Sequence, residues 1–74
     1  MSVDFGSLLT VEQKQALLQQ RIQQFAAEGY QHTLNKQVAE SKEDEALATA
    51  SQEAIDTLSE AIEAYQTELD SLTE

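Results

Sequence analysis

The sequence contains no cysteine, no proline and no tryptophan, and it has only one histidine and two glycines. Without cysteine there can be no disulfide framework and no thiolate metal site, and one histidine does not form a zinc site by itself. The absence of proline removes the strongest helix breaker from the whole chain. A chain of 74 residues must therefore reach stability without covalent or metal cross-links, and oligomerisation or docking on a larger protein is the remaining route.

Basic side chains are scarce, and none follows Lys42. Residues 1–42 hold four acids and four bases and are neutral, whereas residues 43–74 hold ten acids and no base, which gives the net charge of −10. Nucleic-acid binding needs a basic stripe, so we expect no nucleic-acid partner. The acidic half has two interpretations, a solvated surface that aids solubility or a surface for a basic partner.

Targeting and membrane signals are also missing. Met1 to Gly6 contain no basic segment of the kind that opens a signal peptide, and no apolar run approaches the length of a membrane span. An amphipathic membrane helix would carry Lys and Arg on its polar face, and this chain has the opposite charge there. The sequence predicts a protein that is not secreted by a signal peptide, does not bind membranes and stays in the cytoplasm of the producing cell.

The C-terminal stretch, residues 45–72, has the most regular pattern. Apolar side chains recur at alternating spacings of three and four, as in the contact stripe of a helix that lies along another helix. These are Ile55, Leu58, Ile62, Tyr65, Leu69 and Leu72. The remainder of the helix surface is acidic, with Glu53, Asp56, Glu60, Glu63 and Asp70. Neighbouring acids repel one another, so we expect this helix to be unstable alone.

A first helix is predicted over residues 10–40. Thr10 and Gln13 have the spacing of a capping box, in which each side chain bonds the backbone N–H of the other residue. Leu18, Ile22 and Phe25 then share one face with Gly29. Beyond Gly29 the apolar residues Tyr30, Leu34 and Val38 lie on a face rotated by more than a quarter turn.

Gly29 costs helix stability and should have a reason to be present. One interpretation is close packing against a surface of alanines on the second helix. The alternative is a break or hinge. A rotated apolar face without a break would indicate a helix that touches two partners.

The predicted fold is all-α, an antiparallel, coiled-coil-like hairpin over residues 10–74, with the turn at 41–44 and the second helix at 45–72. Ser41 is the expected N-cap of that helix. The similar lengths of the two helices favour the hairpin. The alternative is one long helix from Thr10 to Leu72, because neither glycine nor proline marks the turn.

Residues 1–9 are predicted to form an extended N-terminal arm. The arm contains Val3, Phe5, Leu8 and Leu9, whereas a free tail is normally polar. Either Phe5 and Leu9 fold back onto the hairpin of the same chain, or the arm adds to a neighbouring subunit.

No arrangement of residues points to catalysis. Tyr30 and His32 are two residues apart and do not share a helical face. Glu28 and His32 are four apart, but a carboxylate-bridged metal site needs such a pair on several helices, and the pair is not repeated. We predict a non-enzymatic protein with no metal and no other cofactor.

Residues 9–18 (LTVEQKQALL) and 21–30 (RIQQFAAEGY) resemble the short Gln-, Ala- and Glu-rich helical proteins that tailed bacteriophages encode. The likeness covers most of the chain and is one of composition and helix style. It assigns no function to any individual residue. It implies a small accessory subunit of a virion, found in the particle or the host cytoplasm, or another phage protein that binds a larger protein.

Three hypotheses follow. The first is a structural or assembly protein of a phage particle that forms oligomers or docks on a larger virion protein, through the apolar faces of both helices together with Tyr30 and the arm. The second is an acidic inhibitor whose row from Glu53 to Asp70 imitates nucleic acid and binds a host nucleic-acid-binding protein. The third is a chaperone for tail or head assembly.

Overall fold

A computed structural model describes residues 2–73 as a hairpin of two helices, α1 (Val11–Ser41) and α2 (Glu45–Leu72), preceded by a 3₁₀ turn (Phe5–Leu8). No strand occurs in this part of the chain. The prediction of an all-α antiparallel hairpin is confirmed, and the alternative of one unbroken helix is wrong. The bounds of α1 differ by one residue from the predicted 10–40, and those of α2 agree. Met1 and Glu74, which belong to the predicted arm and hairpin, lie outside the described residues.

The start of α1 is fixed by the predicted capping box. The hydroxyl of Thr10 accepts a hydrogen bond from the amide of Gln13 (3.1 Å), and the side-chain oxygen of Gln13 accepts one from the amide of Thr10 (2.9 Å). Two N–H groups that would otherwise lack a partner at the first turn are thereby satisfied. Glu12 in the same turn has the charge that the helix dipole favours at this end.

The turn between the helices is a Schellman motif. The amide of Asp44 donates to the carbonyl of Ala39 (2.8 Å), and the amide of Glu43 donates to the carbonyl of Glu40 (3.2 Å). This arrangement places Glu43 in the left-handed region, with φ of 56°. The turn therefore forms without glycine, although glycine is the residue that usually fills this position.

The N-cap of α2 is Asp44, so the prediction that Ser41 caps this helix is wrong. A carboxylate oxygen of Asp44 accepts a hydrogen bond from the amide of Leu47 (3.1 Å). Ser41 is the last residue of α1, and its hydroxyl donates to the carbonyl of Val38 (2.8 Å). Asp44 has the same three-residue reach as a serine cap and adds a charge that the dipole favours.

Gly29 lies within an uninterrupted α1, so it is not a break or hinge. A Cβ atom added at this position would have no neighbour within 4 Å, which also overturns the prediction of close packing there. The rotated apolar face that follows Gly29 is therefore a second face of one continuous helix.

The two helices meet along a line of side chains that we call the seam. Seam residues alternate at spacings of three and four on both helices, and the interval matches the coiled-coil repeat. The seam of α1 contains Leu18, Ile22, Phe25, Gly29, His32, Lys36 and Ala39, and that of α2 contains Ala48, Ser51, Ile55, Leu58, Ile62, Tyr65, Leu69 and Leu72.

Burial along the seam is shallow. In residues 2–73, the only apolar side chain that is fully buried is that of Ala39, and the only buried polar residue is Ser51. The larger seam residues are half-buried. The described chain measures 50 × 28 × 15 Å with a radius of gyration of 16.5 Å, whereas a compact domain of this length has about 11 Å.

Replacement of Glu43 by glycine should stabilise the hairpin. A left-handed conformation costs a residue with a Cβ roughly 1 kcal/mol, and glycine avoids this cost. We expect Glu43→Gly to have a free energy of unfolding about 1 kcal/mol above that of Glu43→Ala, measured by urea titration. Glu43→Ala is the matched control because it removes the same charge without relieving the backbone. Equal stability of the two variants would contradict the expectation.

Replacement of Gly29 by alanine should also stabilise the hairpin, by about 1 kcal/mol, since alanine favours the helix and the added methyl group has open space. The reverse change at an exposed position of the same helix, Ala27→Gly, should lose a similar amount. Thermal unfolding followed by circular dichroism measures both. A loss of stability in Gly29→Ala would show that the gap beside Gly29 has to stay open.

Candidate protein-interaction surfaces

The predicted apolar interface residues of the two helices lie in the seam, mostly in the half remote from the turn. The rings of Phe25 and Tyr65 stack there with their centroids 5.5 Å apart and their planes 17° from parallel. Leu18 and Leu72 line the same depression at the open end of the hairpin. The members of this set are all half-buried: Leu18, Ile22, Phe25, Ile55, Leu58, Ile62, Tyr65, Leu69 and Leu72. They hold the hairpin together, and their contact with a second chain stays a prediction.

The half of the seam near the turn is polar and small. The ammonium group of Lys36 donates to the side-chain oxygen of Gln52 across the seam (2.6 Å), and the amide of Gln52 donates to a carboxylate oxygen of Asp56 (2.8 Å). Ala39 and Ser51 are the two buried residues of this half. A lysine at a seam position lowers stability, but it favours one alignment of the helices and a pair of helices over a larger bundle. The reason is that other alignments bury the charge without its partners.

The N-terminal arm is less extended than predicted, since Phe5–Leu8 form a 3₁₀ turn. The side chain of Asp4 caps this turn by accepting from the amide of Gly6 (3.1 Å). Phe5 does not fold back onto the helices, because 73% of its surface stays exposed. Leu9 is exposed to a smaller degree, and Val3 and Leu8 are also exposed. Addition of the arm to a neighbouring subunit stays a prediction.

The outer face of α2, opposite the seam, carries the predicted acidic row. All five acids of this row are exposed: Glu53, Asp56, Glu60, Glu63 and Asp70. Two of the carboxylates are oriented by glutamines one turn before them, since Gln52 bonds Asp56 and Gln66 bonds Asp70 (3.0 Å). Acids that are three or four residues apart lie about 5–6 Å from each other along the helix.

The outer face of α1 has a different character, and it is the surface that the sequence prediction did not delimit. We define it as thirteen exposed residues on the side of α1 remote from the seam; Leu17, at the edge of this set, also lines the depression that contains Leu18 and Leu72. None is charged. The large apolar members are Leu17, Tyr30, Leu34 and Val38, and the others are Gln13, Ala16, Gln20, Gln23, Gln24, Ala27, Gln31, Gln37 and Ser41.

This uncharged surface continues along most of α1, from Gln13 to Ser41. Five of the six charges of the helix occur at the flanks or in the seam, namely Lys14, Arg21, Glu28, Lys36 and Glu40. The sixth, Glu12 in the first turn, lies in line with Tyr30 just before the uncharged surface begins. Tyr30, which the sequence places among the interface residues, has 65% of its surface exposed on the outer face. The periodic absence of charge could have revealed this face, because it recurs at helical spacing from Gln13 to Ser41.

Concave regions lie at the turn and at the open end of the hairpin. One depression at the turn is lined by Ala39, Ala48 and four acids, Glu40, Glu43, Asp44 and Glu45. Within residues 2–73, His, Asp and Glu side chains do not converge as a group that could hold a metal ion. The helices in this range also lack a segment that is both long and apolar enough to cross a membrane.

Comparison of the chain with protein-family models, with curated proteins and with solved structures finds no match. Function therefore has to be inferred from the seam, the arm and the two outer faces.

A lysine in the seam should lower stability while it enforces the alignment of the helices. We expect Lys36→Leu to raise the free energy of unfolding by about 1 kcal/mol, since a half-buried leucine gains part of its transfer free energy. Species larger than those of the wild type should appear in light scattering. Arg21→Leu is the control, because it removes a cation at an exposed position. A less stable Lys36→Leu variant would show that the bond to Gln52 contributes more than apolar contact.

Proposed function

We propose that the chain is a non-enzymatic assembly subunit that acts by binding protein, either other copies of itself or a larger protein of the assembly. The observation that carries this proposal is the shallow burial of the hairpin: within residues 2–73, no large side chain is fully buried. A lone core of this size rarely supplies more than about 3–5 kcal/mol. A partner that covers the exposed apolar side chains adds the burial that the hairpin lacks.

The setting of this assembly is a tailed-phage particle or its precursor. The resemblance of residues 9–18 and 21–30 to short helical phage proteins supports this part of the proposal. A virion subunit is made at high copy number, and weak contacts are then multiplied by the number of neighbours. An uncharged, glutamine-rich helix face suits such contacts, since amides form hydrogen bonds without the desolvation cost of a charge.

Association should be visible as a coupled loss of mass and helicity on dilution. We expect light scattering on a size-exclusion column to give more than one chain at high micromolar concentration, and circular dichroism to show less helix as the mass falls. The reason is that the subunit contacts stabilise helices that the seam holds only weakly. A helical monomer throughout the series would contradict self-association and leave only docking on a larger protein.

The acidic outer face of α2 favours a second candidate function, an inhibitor that imitates nucleic acid. Its support is the row of exposed carboxylates, two of which are oriented by Gln52 and Gln66. The partner would be a basic, nucleic-acid-binding protein of the host.

Charge reversal separates this candidate from the assembly subunit. We expect the Asp56→Lys, Glu60→Lys and Glu63→Lys triple variant to lose competition with duplex DNA for a histone-like basic protein if the inhibitor function is correct. Self-association that survives in this variant, together with a wild type that does not compete, would eliminate the inhibitor and leave the assembly subunit.

A further inference from the structure

We propose that the outer face of α1 is the surface through which two copies of this chain form a dimer, with α1 against α1 at the centre and the two α2 helices outside. This inference rests on the proposed function and names both the surface and the occupant. It goes beyond the seam contacts predicted from the sequence, because the seam is already used within one hairpin.

The first argument is electrostatic. A chain with a net charge of −10 repels its own copies unless they meet through a surface that carries little of that charge. From Gln13 to Ser41 the outer face of α1 carries none, whereas the outer face of α2 carries five acids and no base. A contact between two α2 helices would place ten carboxylates together, and a contact between two α1 helices places none.

The same arrangement moves the acids of the two copies apart. Helices pack with their axes about 8–10 Å apart, so the α2 helices of an α2–α1–α1–α2 stack would be roughly 25–30 Å apart. Charges at the surface are screened within about 8 Å at physiological salt. The acidic faces therefore do not oppose this dimer.

The second argument is the amount of exposed surface. The chain has a solvent-accessible surface of 5710 Å², whereas a compact monomer of 8.2 kDa has about 4,500 Å². The excess of about 1,200 Å² per copy is larger than the area that one partner of a standard interface buries, about 800 Å². The uncharged face extends along most of α1, which is about 46 Å long. One such contact would remove most of the excess.

The third argument is the chemistry of the face. Tyr30, Leu34 and Val38 follow one another at intervals of four, so they form a short apolar ridge beside rows of glutamine. Tyr30 and Val38 keep 65% and 49% of their surface exposed in the single hairpin. Tyrosine is favoured at interfaces, since its ring is buried while its hydroxyl reaches a polar partner. A second copy offers the same ridge and the same amides, and each amide both donates and accepts hydrogen bonds, so a two-fold contact can pair them.

Paired glutamates test the surface directly. We expect the Tyr30→Glu and Val38→Glu double variant to raise the dimer dissociation constant at least about tenfold in sedimentation equilibrium, because four unpaired carboxylates enter a neutral interface. The matched control is Thr57→Glu with Ala64→Glu, which adds the same charge to exposed positions of α2. The control should change the dimer dissociation constant less than threefold, where a tenfold change corresponds to roughly 1.4 kcal/mol. Equal effects of the two variants would overturn the inference.

A second measurement leaves the interface intact, so its result does not depend on whether the glutamate variant folds. The chain contains no tryptophan, so one introduced indole reports on its own position. The Tyr30→Trp side chain should be shielded from acrylamide quenching at high protein concentration and accessible after dilution. The Thr57→Trp side chain on α2 should be accessible at both concentrations.

The outcomes separate this inference from the proposed function. A wild type that dimerises while Tyr30→Trp stays accessible, or while Thr57→Trp becomes shielded, overturns the α1 interface and leaves the assembly subunit standing. A wild-type chain that is a helical monomer at every concentration overturns this inference and the self-association form of the proposed function, and it leaves only docking on a larger protein. Shielding of Tyr30→Trp that follows the dimer mass supports both.

Discussion

The structure depends on one constraint, which is that two helices can cover each other from one side only. Each large seam residue has the partner helix on one flank and solvent on the other, so even the stacked rings of Phe25 and Tyr65 are only half-buried. The hydrophobic contribution per side chain is correspondingly smaller than in a domain with a closed core. This constraint explains the elongated shape, and it leaves the outer faces of both helices available for contact with other molecules.

Polarity divides the hairpin in two directions. Along the seam, the open end is aromatic and aliphatic, whereas the end at the turn holds Lys36, Gln52 and the small residues Ala39 and Ser51. Around the hairpin, α2 presents carboxylates outward and α1 presents amides and scattered apolar side chains. The first division fixes how the two helices align, because the apolar residues supply burial and the lysine restricts the register. The second decides which surface can approach another copy of an acidic chain.

The sequence was sufficient for the parts of the fold that depend on local chemistry and on periodicity. The alternation of apolar residues from Ile55 to Leu72 predicted the seam, and the capping box of Thr10 and Gln13 predicted the start of α1. The choice of Asp44 over Ser41 as N-cap was not predictable, because both residue types form caps and the Schellman turn selects between them. The role of Gly29 depends on the open space beside it, which is a property of packing. The uncharged outer face of α1 was visible as glutamine content, but its limits require knowledge of which side of α1 faces α2.

The measurement that tests this account most directly is urea unfolding of the wild-type chain at two protein concentrations that differ about a hundredfold. If the incomplete burial of the hairpin is completed by association, the folded state is a dimer, and its apparent stability should rise by about 2.7 kcal/mol between the two concentrations. The midpoint of unfolding should move to higher urea with the slope unchanged. Coincident unfolding curves would mean that the single hairpin is stable by itself, and this result would contradict the account.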